Sequence, residues 1–272
     1  MKKRWLIAAL LLAALTGWLL WGNTALEVNT WVIENEKIPA AFDGFRIAQV
    51  SDLHNEPLNG DVAAALKALK PDLIVLTGDL VDSRRTDVDA ALDFVREAAA
   101  IATCCYVPGN HEARISQWPL LRRGLLDAGV LVLEDAVIPL ERGGASVAVL
   151  GLRDPDFLGD QADVLCSLTE GAAGYQILLS HRPERLAMYA HYGVDLVFSG
   201  HAHGGQIRLP IVGGLMAPHQ GILPEYDSGL YHMGVTAMLV SRGVGNSIFP
   251  LRVNNRPEIV VAELKVPVGI YD

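Results

Sequence analysis

Three cysteines in 272 residues are too few for a disulfide framework, and two of them, Cys104 and Cys105, are neighbours. All three sit among apolar residues and read as small buried hydrophobes. Basic residues are also short: 22 Lys and Arg against 31 Asp and Glu give a formal charge of −9. Lys2, Lys3 and Arg4 stand before an apolar stretch, so the remainder carries −12. An acidic body argues against broad nucleic-acid binding, which needs a basic footprint. Bound cations would offset part of that charge. Internal repeats and low-complexity tracts are absent. With the N-terminus set aside, about 240 residues remain, the size of one large α/β domain. Half of the chain is apolar, enough for a sizeable core.

Residues 5–21 contain no charge, and 17 residues is the lower edge of what spans a bilayer. Trp5, Trp18 and Trp21 fall near its two ends, where amphipathic rings favour the membrane interface. The leading Lys2, Lys3 and Arg4 hold that end in the cytoplasm and send the rest of the chain outward. A cleaved signal peptide would have a shorter apolar core and a small-x-small site. Here large residues occupy 18–21, and Asn23-Thr24-Ala25 is a weak site. The segment therefore reads as an uncleaved signal anchor, ahead of a cleaved signal and of a buried helix of a soluble protein. For the topology, peripheral attachment at the inner face of the membrane is the alternative. No second membrane-crossing segment of this kind is present, so the chain is single-pass at most. The expected organisation is an anchor over 1–22, a tether and lead-in strand over 23–42, and one domain over 43–272.

Along the body, short apolar β-branched runs alternate with helical stretches. Helices are expected over 61–70, 88–100, 118–128, 162–168 and 183–192. Strands are expected over 73–77, 104–107, 131–133, 137–140, 147–150, 177–179 and 196–199, with a strand-rich remainder. Helices alternate with strands first and strands cluster later. That order predicts an α/β fold of two packed mixed β-sheets flanked by helices, an α/β/β/α sandwich.

Five of the apolar runs end in residues that ligate metals. Arg46-Ile47-Ala48-Gln49-Val50 leads to Asp52 and His54, and Leu73-Ile74-Val75-Leu76-Thr77 leads to Gly78-Asp79. Cys104-Cys105-Tyr106-Val107-Pro108 leads to Gly109-Asn110-His111-Glu112. Ile177-Leu178-Leu179-Ser180 leads to His181, and Leu196-Val197-Phe198-Ser199 leads to Gly200-His201-Ala202-His203. Ligands of open α/β sheets bind beyond the carboxyl ends of strands, so these side chains can converge on one place. Taken singly, Asp-x-His and Gly-Asp are also what ordinary turns look like. The strongest local signal is the pair His201 and His203 between glycines. The conjunction of all five, each behind an apolar run, points to a cation site of mixed O and N ligands.

The chain resembles the calcineurin-like metallophosphoesterase superfamily. The resemblance rests on Asp52-x-His54, Gly78-Asp79-Leu80-Val81-Asp82, Gly109-Asn110-His111-Glu112, His181 and Gly200-His201-x-His203. Further similarity, to the bacterial membrane-anchored branch of small phosphodiesterases, rests on Phe42-Asp43-Gly44-Phe45-Arg46-Ile47, Gly204-Gly205-Gln206, Tyr226-Asp227-Ser228-Gly229 and Val240-Ser241-Arg242-Gly243. The resemblance implies two divalent metal ions, Mn, Fe or Zn. Asp52, His54, Asp79 and His203 would hold one and Asp79, Asn110, His181 and His201 the other. It implies a catalytic His111 that stabilises phosphoryl charge or protonates the leaving oxygen, and it leaves Asp82 to orient a ligand or to be an ordinary loop acid.

The function so implied is hydrolysis of phosphodiester or pyrophosphate bonds by a two-metal-activated water, at a membrane. Lipid-linked phosphoesters are among the substrates it admits, and no nucleic acid is expected. The alternative is a membrane-tethered metal-binding protein without turnover, which would have no need of His111. Arg114, Arg182 and Arg242 are candidates for phosphate contact, since Arg matches phosphate geometry. His191 reads as a surface residue, His219 as part of a loop near the substrate, and His232 matches no motif.

Overall fold

A computed structural model of the chain describes residues 2–56, 58–246, 249–267 and 269. Helix α1 (Lys2–Thr24) carries no charge beyond Lys2, Lys3 and Arg4, is apolar on every side from Trp5 to Trp21, and buries none of its residues. At 1.5 Å per residue its 23 residues measure about 35 Å, enough to cross the apolar layer of a bilayer.

Two six-stranded sheets make up the body. Chain order gives β1 (Glu27–Glu34), β2 (Arg46–Val50), α2 (Asn59–Leu69), β3 (Leu73–Thr77), α3 (Val88–Ala99) and β4 (Thr103–Val107). Next come α4 (Asn110–Ala113), α5 (Trp118–Asp127), β5 (Leu131–Val132), β6 (Ala136–Arg142) and β7 (Ala145–Leu152). After these lie α6 (Pro155–Leu158), α7 (Ala162–Glu170), β8 (Gln176–Ser180), α8 (Leu186–His191) and β9 (Leu196–Ser199). Four two-residue strands, β10 (Arg208–Leu209), β11 (Gly213–Gly214), β12 (Met216–Ala217) and β13 (Gly221–Ile222), form two small hairpins. The chain closes with β14 (Gly229–Met233), β15 (Thr236–Val240) and β16 (Glu258–Lys265).

The first sheet runs β1-β16-β2-β3-β4-β5 and the second β14-β15-β9-β8-β7-β6. Both are mixed, as expected. Strands β2 to β5 are mutually parallel, as are β7, β8, β9 and β15. Ile47, Val75, Cys105, Ile177, Phe198 and Leu239 interlock between the sheets. Helices α2, α3 and α5 cover the outer face of the first sheet, and α7 and α8 that of the second. Covered on both faces, β3 is buried along its whole length, which is why its sequence is continuously apolar rather than alternating.

One polar residue fastens the sheets to each other near the strand ends. Buried Gln49 donates through Nε2 to Thr77 Oγ1 in its own sheet and to the Ser199 carbonyl of the other, both at 2.8 Å. The carboxyl ends of the two parallel sets therefore open side by side.

Three expectations shift. The helix expected over 183–192 breaks into a 3-10 turn (Pro183–Arg185) followed by α8. Helix α2 starts two residues earlier than expected. Cys104 and Cys105 are buried, and burial pushes both thiols up to about 12, but Cys166 is half-exposed. On α7 it is Leu165 and Leu168 that face the sheet, so Cys166 turns outward, 3.6 Å from Glu170.

Candidate metal centre

The loops that leave β2, β3, β4, β8 and β9 bring their polar residues to one buried spot. Asp52, His54, Asp79, Asn110, His181, His201 and His203 are all less than a tenth exposed. Five of the seven (Asp52, His54, Asp79, His201 and His203) hold a left-handed backbone, with φ between 49° and 65°. Such conformations cost about 1–3 kcal/mol each for non-glycine residues and gather at functional sites. Glycines make the approach. A Cβ on Gly109 would lie 2.3 Å from Asp79 Oδ1, and one on Gly200 would lie 1.9 Å from Ser51 Oγ.

Two groups form around one carboxylate oxygen. On one side, Asp52 Oδ1 lies 3.3 Å from His203 Nε2 and 3.9 Å from His54 Nε2, and the two ring nitrogens are 3.2 Å apart. On the other, His181 Nε2 lies 3.2 Å from His201 Nδ1. Asp79 Oδ2 faces both, 3.7 Å from His54 Nε2 and 3.2 Å from His181 Nε2. Its other oxygen accepts the His111 N–H at 2.8 Å. Asn110 stands between Gly109 and His111, and its buried Oδ1 has no hydrogen-bond partner among the described residues.

The donor set and its electrostatics suit divalent cations. Burial holds His54 down to about 4, and it pushes His201 and His203 well below the usual imidazole range. These rings stay neutral and keep a lone pair for a cation. Burial also raises Asp52, to about 6, with the charge of Asp79 adding to it. His181 goes the other way. Burial disfavours its charge, but Asp79 and Asp52 overcome that and lift it to about 10. Burial would raise Asp79 likewise, yet its contacts with His181 and His54 hold it well below the usual carboxylate range.

His111 packs edge-on against His54, ring centroids 4.5 Å apart, and its ligand atom lies near those of His54 and Asp79. Its Nδ1 accepts the Ser83 N–H at 2.9 Å, so in the neutral ring the proton sits on Nε2. That Nε2 is 3.9 Å from Asp79 Oδ2, at the rim of the cluster, and burial lowers the ring's pKa. Asp82 accepts from Arg84 and lies 3.7 Å from His111 Nδ1, beyond hydrogen-bond distance.

Two supporting residues have roles their sequence position does not show. Glu112, inside the Gly109-Asn110-His111-Glu112 string, is fully buried. Its carboxylate accepts from the backbone N–H groups of Asp79 and Gly109, both at 2.8 Å, and so ties two turns together. Arg182 is buried in a two-point pair with Asp154 at 2.5 and 2.8 Å, and its Nη1 reaches His201 Nε2 at 3.2 Å and His219 Nδ1 at 2.6 Å. Arg114 pairs with Asp156, and Arg242 with Glu27 and Glu258, so neither points a free guanidinium at the cluster. His219 packs behind His201, with its Nδ1 2.8 Å from His201 Nε2, while His191 and His232 lie on the surface away from the site.

The sequence profile described as calcineurin-like phosphoesterase matches residues 45–205, which contain every residue of this cluster. The chain belongs to the calcineurin-like phosphoesterases. This phosphoesterase is 33% identical to a Bacillus subtilis protein named uncharacterized metallophosphoesterase YkuE, over 88% of this chain and 86% of that one. It is 30% identical to the Escherichia coli phosphodiesterase YaeI, over 81% and 82%. It is 29% identical to a Danio rerio transmembrane protein with metallophosphoesterase domain, covering 85% of this chain and 55% of that one. The fold is the α/β/β/α sandwich expected, and the enzyme class is that of metal-dependent phosphoester hydrolases.

Proposed function

We propose that this phosphoesterase hydrolyses phosphodiester or pyrophosphate bonds with two divalent cations held side by side, at a membrane surface. The observation that carries the reading is the position of Asp79 Oδ2, which faces a ring nitrogen of both groups at once. Asp52, His54, Asp79 and His203 would hold one cation, and Asp79, Asn110, His181 and His201 the other. Such a pair, when bound, supplies an acidified water and neutralises phosphoryl charge.

The chain's own residues do the rest. A carboxylate shared between two cations offsets their repulsion, and Glu112 keeps it in place by gripping the Asp79 N–H. The Thr77 carbonyl accepts from His181 Nδ1 at 2.7 Å and so fixes the ring with Nε2 inward. His111 presents Nε2–H at the rim, where it can stabilise a phosphoryl oxygen or hand a proton to the leaving oxygen. This is worth roughly 10²–10⁴ in rate. A protein that only stored metal would have no use for a ring whose tautomer is set from behind by Ser83. The Lys2, Lys3 and Arg4 cluster and the apolar α1 support single-pass anchoring with the catalytic domain outside the cytoplasm.

The test is hydrolysis of bis(p-nitrophenyl) phosphate after chelation and again after Mn²⁺ is restored, for the full chain and for His111→Ala. The expected result is activity that vanishes and returns in the parent, with His111→Ala retaining metal and losing about a hundredfold or more in kcat. Metal-loaded parent protein with no turnover on phosphodiester or pyrophosphate substrates would instead establish the metal-binding role without catalysis.

A further inference from the structure

Residues 209–224 contain no Asp, Glu, Lys or Arg, yet they are not core. Pro210, Pro218 and three glycines lie in or between the small β10–β11 and β12–β13 hairpins, Pro224 follows them, and most large side chains of this stretch are exposed. Outside α1, the described residues expose thirteen large apolar side chains, and seven of them lie in this stretch or at Phe249. Ile211, Val212, Met216, Ile222, Leu223 and Phe249 are more than two-fifths exposed. A contiguous apolar surface of this kind marks an interaction site.

The fold says which partner. Strand β1 runs parallel to β16, and β16 antiparallel to β2, so β1 begins at the end of the sheet where β2, β3 and β4 deliver their ligands. Helix α1 therefore joins the body on the side of the metal cluster. It is fastened to the segment just after Phe249. Asn23 donates to the Arg252 carbonyl at 3.0 Å and accepts the Arg252 N–H at 2.7 Å, and the Arg256 guanidinium lies 4.6 Å over the Trp21 ring. The same segment is fastened on its other flank to the start of the apolar stretch. Gln206 donates to the Phe249 carbonyl at 2.7 Å, and Arg208 to that of Val253 at 2.9 Å. Apolar helix, bridging segment and apolar hairpins thus form one continuous surface. Behind the hairpins a cavity of about 410 Å³, lined by Met216, Pro218 and Phe249, runs back to His203 and His219.

We propose that residues 209–224 together with Phe249 dock on the lipid bilayer, so that the mouth of the metal cluster opens at the membrane surface. The inference rests on the reading of α1 as a membrane anchor. Apolar side chains on hairpin tips sink into the interface, where uncharged backbone and His or Gln side chains meet headgroups. The charged body is held above, and a phosphoester borne by a lipid or lying at the headgroup level meets the cluster without leaving the interface.

Full-length protein in phosphatidylcholine vesicles tests this. In a Cys166→Ser background, which removes the half-exposed thiol, an environment-sensitive nitrobenzoxadiazole label is placed at Leu11→Cys, Ile222→Cys or Val235→Cys. Ile222 and Val235 are comparably open, at 75% and 67%, but Val235 lies at the opposite end of the second sheet. Doxyl-labelled phosphatidylcholine should quench the labels at 11 and 222 severalfold more than the label at 235. Quenching at 11 with 222 no different from 235 overturns the docking surface and leaves the anchor standing. No quenching at 11 removes the anchor and the docking with it. A label at 222 that is shielded from water yet unquenched by lipid overturns the proposal in favour of a second copy of the chain on that face.

Discussion

The two halves of the cluster are supported in different ways. Around Asp52, His54 and His203 it is the carboxylate that is held. Asp52 accepts from Ser51 Oγ at 2.6 Å and from the His201 N–H at 3.0 Å, while the outer nitrogens of His54 and His203 have no partner among the described residues. Around His181 and His201 it is the rings that are held. His181 is fixed by the Thr77 carbonyl and His201 is backed by His219 and Arg182. Outer partners of metal-binding imidazoles orient the ring and raise its basicity, and losing one costs about 10–100-fold in metal affinity. On the proposed two-cation reading, the second half would be set before a cation arrives, whereas the first would rely on the cation to orient its rings.

Asp79 belongs to both halves, so replacing it is expected to erase the difference between them. Asp79→Ala should lose both ions, since it removes the shared oxygen and leaves His181 without the carboxylate 3.2 Å away. Metal content by mass spectrometry of the purified variant decides this, and near-normal occupancy of either ion would end the bridging assignment.

Acidity separates the halves next. Without a cation, Asp79 and Asp52 hold a proton on His181 up to about pH 10, and that proton must leave before Nε2 can ligate. Between about pH 7 and 9 the affinity of the second half should therefore rise about tenfold per pH unit, one proton released per ion. His54 titrates near 4, His203 well below its usual range and Asp52 near 6, so the first half should be almost flat over the same interval. Calorimetric titrations in buffers of different ionisation enthalpy would show one proton released for one of the two ions. Equal proton release for both would dissolve the contrast.

Much of this centre is legible in the sequence because its physical signature is local. A buried parallel strand reads as a short apolar run, and the residues just after it must sit at the carboxyl edge of the sheet. Asp52, Asp79, Asn110, His181 and the His201–His203 pair can each be placed beyond a strand on that basis. Less legible is whatever depends on distant pairing. Glu27 meets Glu258 across the whole chain, and no period in residues 27–34 says that β1 lies on an edge whose outward side exposes Val28 and Val32. Arg182 reads as free for phosphate because Asp154 is 28 residues away. The stretch 209–224 is opaque for a different reason. Prolines and glycines disqualify it as a membrane-crossing helix, and its apolar residues match neither the helix nor the strand period. Nothing local distinguishes an exposed apolar hairpin from a buried one. Cys166 misleads for the converse reason, since apolar neighbours along a helix do not say which face a residue occupies.

His219 offers the mildest way to sharpen the contrast. It touches His201 from the outside, is exposed enough to be replaced without opening the core, and contributes nothing to the first half. His219→Ala removes the acceptor 2.8 Å from His201 Nε2 and leaves Arg182 as the remaining backing for that ring. Because Arg182 can only donate, the remaining contact favours an unprotonated Nε2, and so the tautomer with its proton on Nδ1, the nitrogen that faces His181. The expected outcome is about a tenfold loss of affinity for the second ion, with the first unchanged. Stepwise titration of the metal-free protein reads both constants in one experiment. If the two constants fell together, support from behind His201 would be shared through Asp79, and the halves would be one mechanical unit.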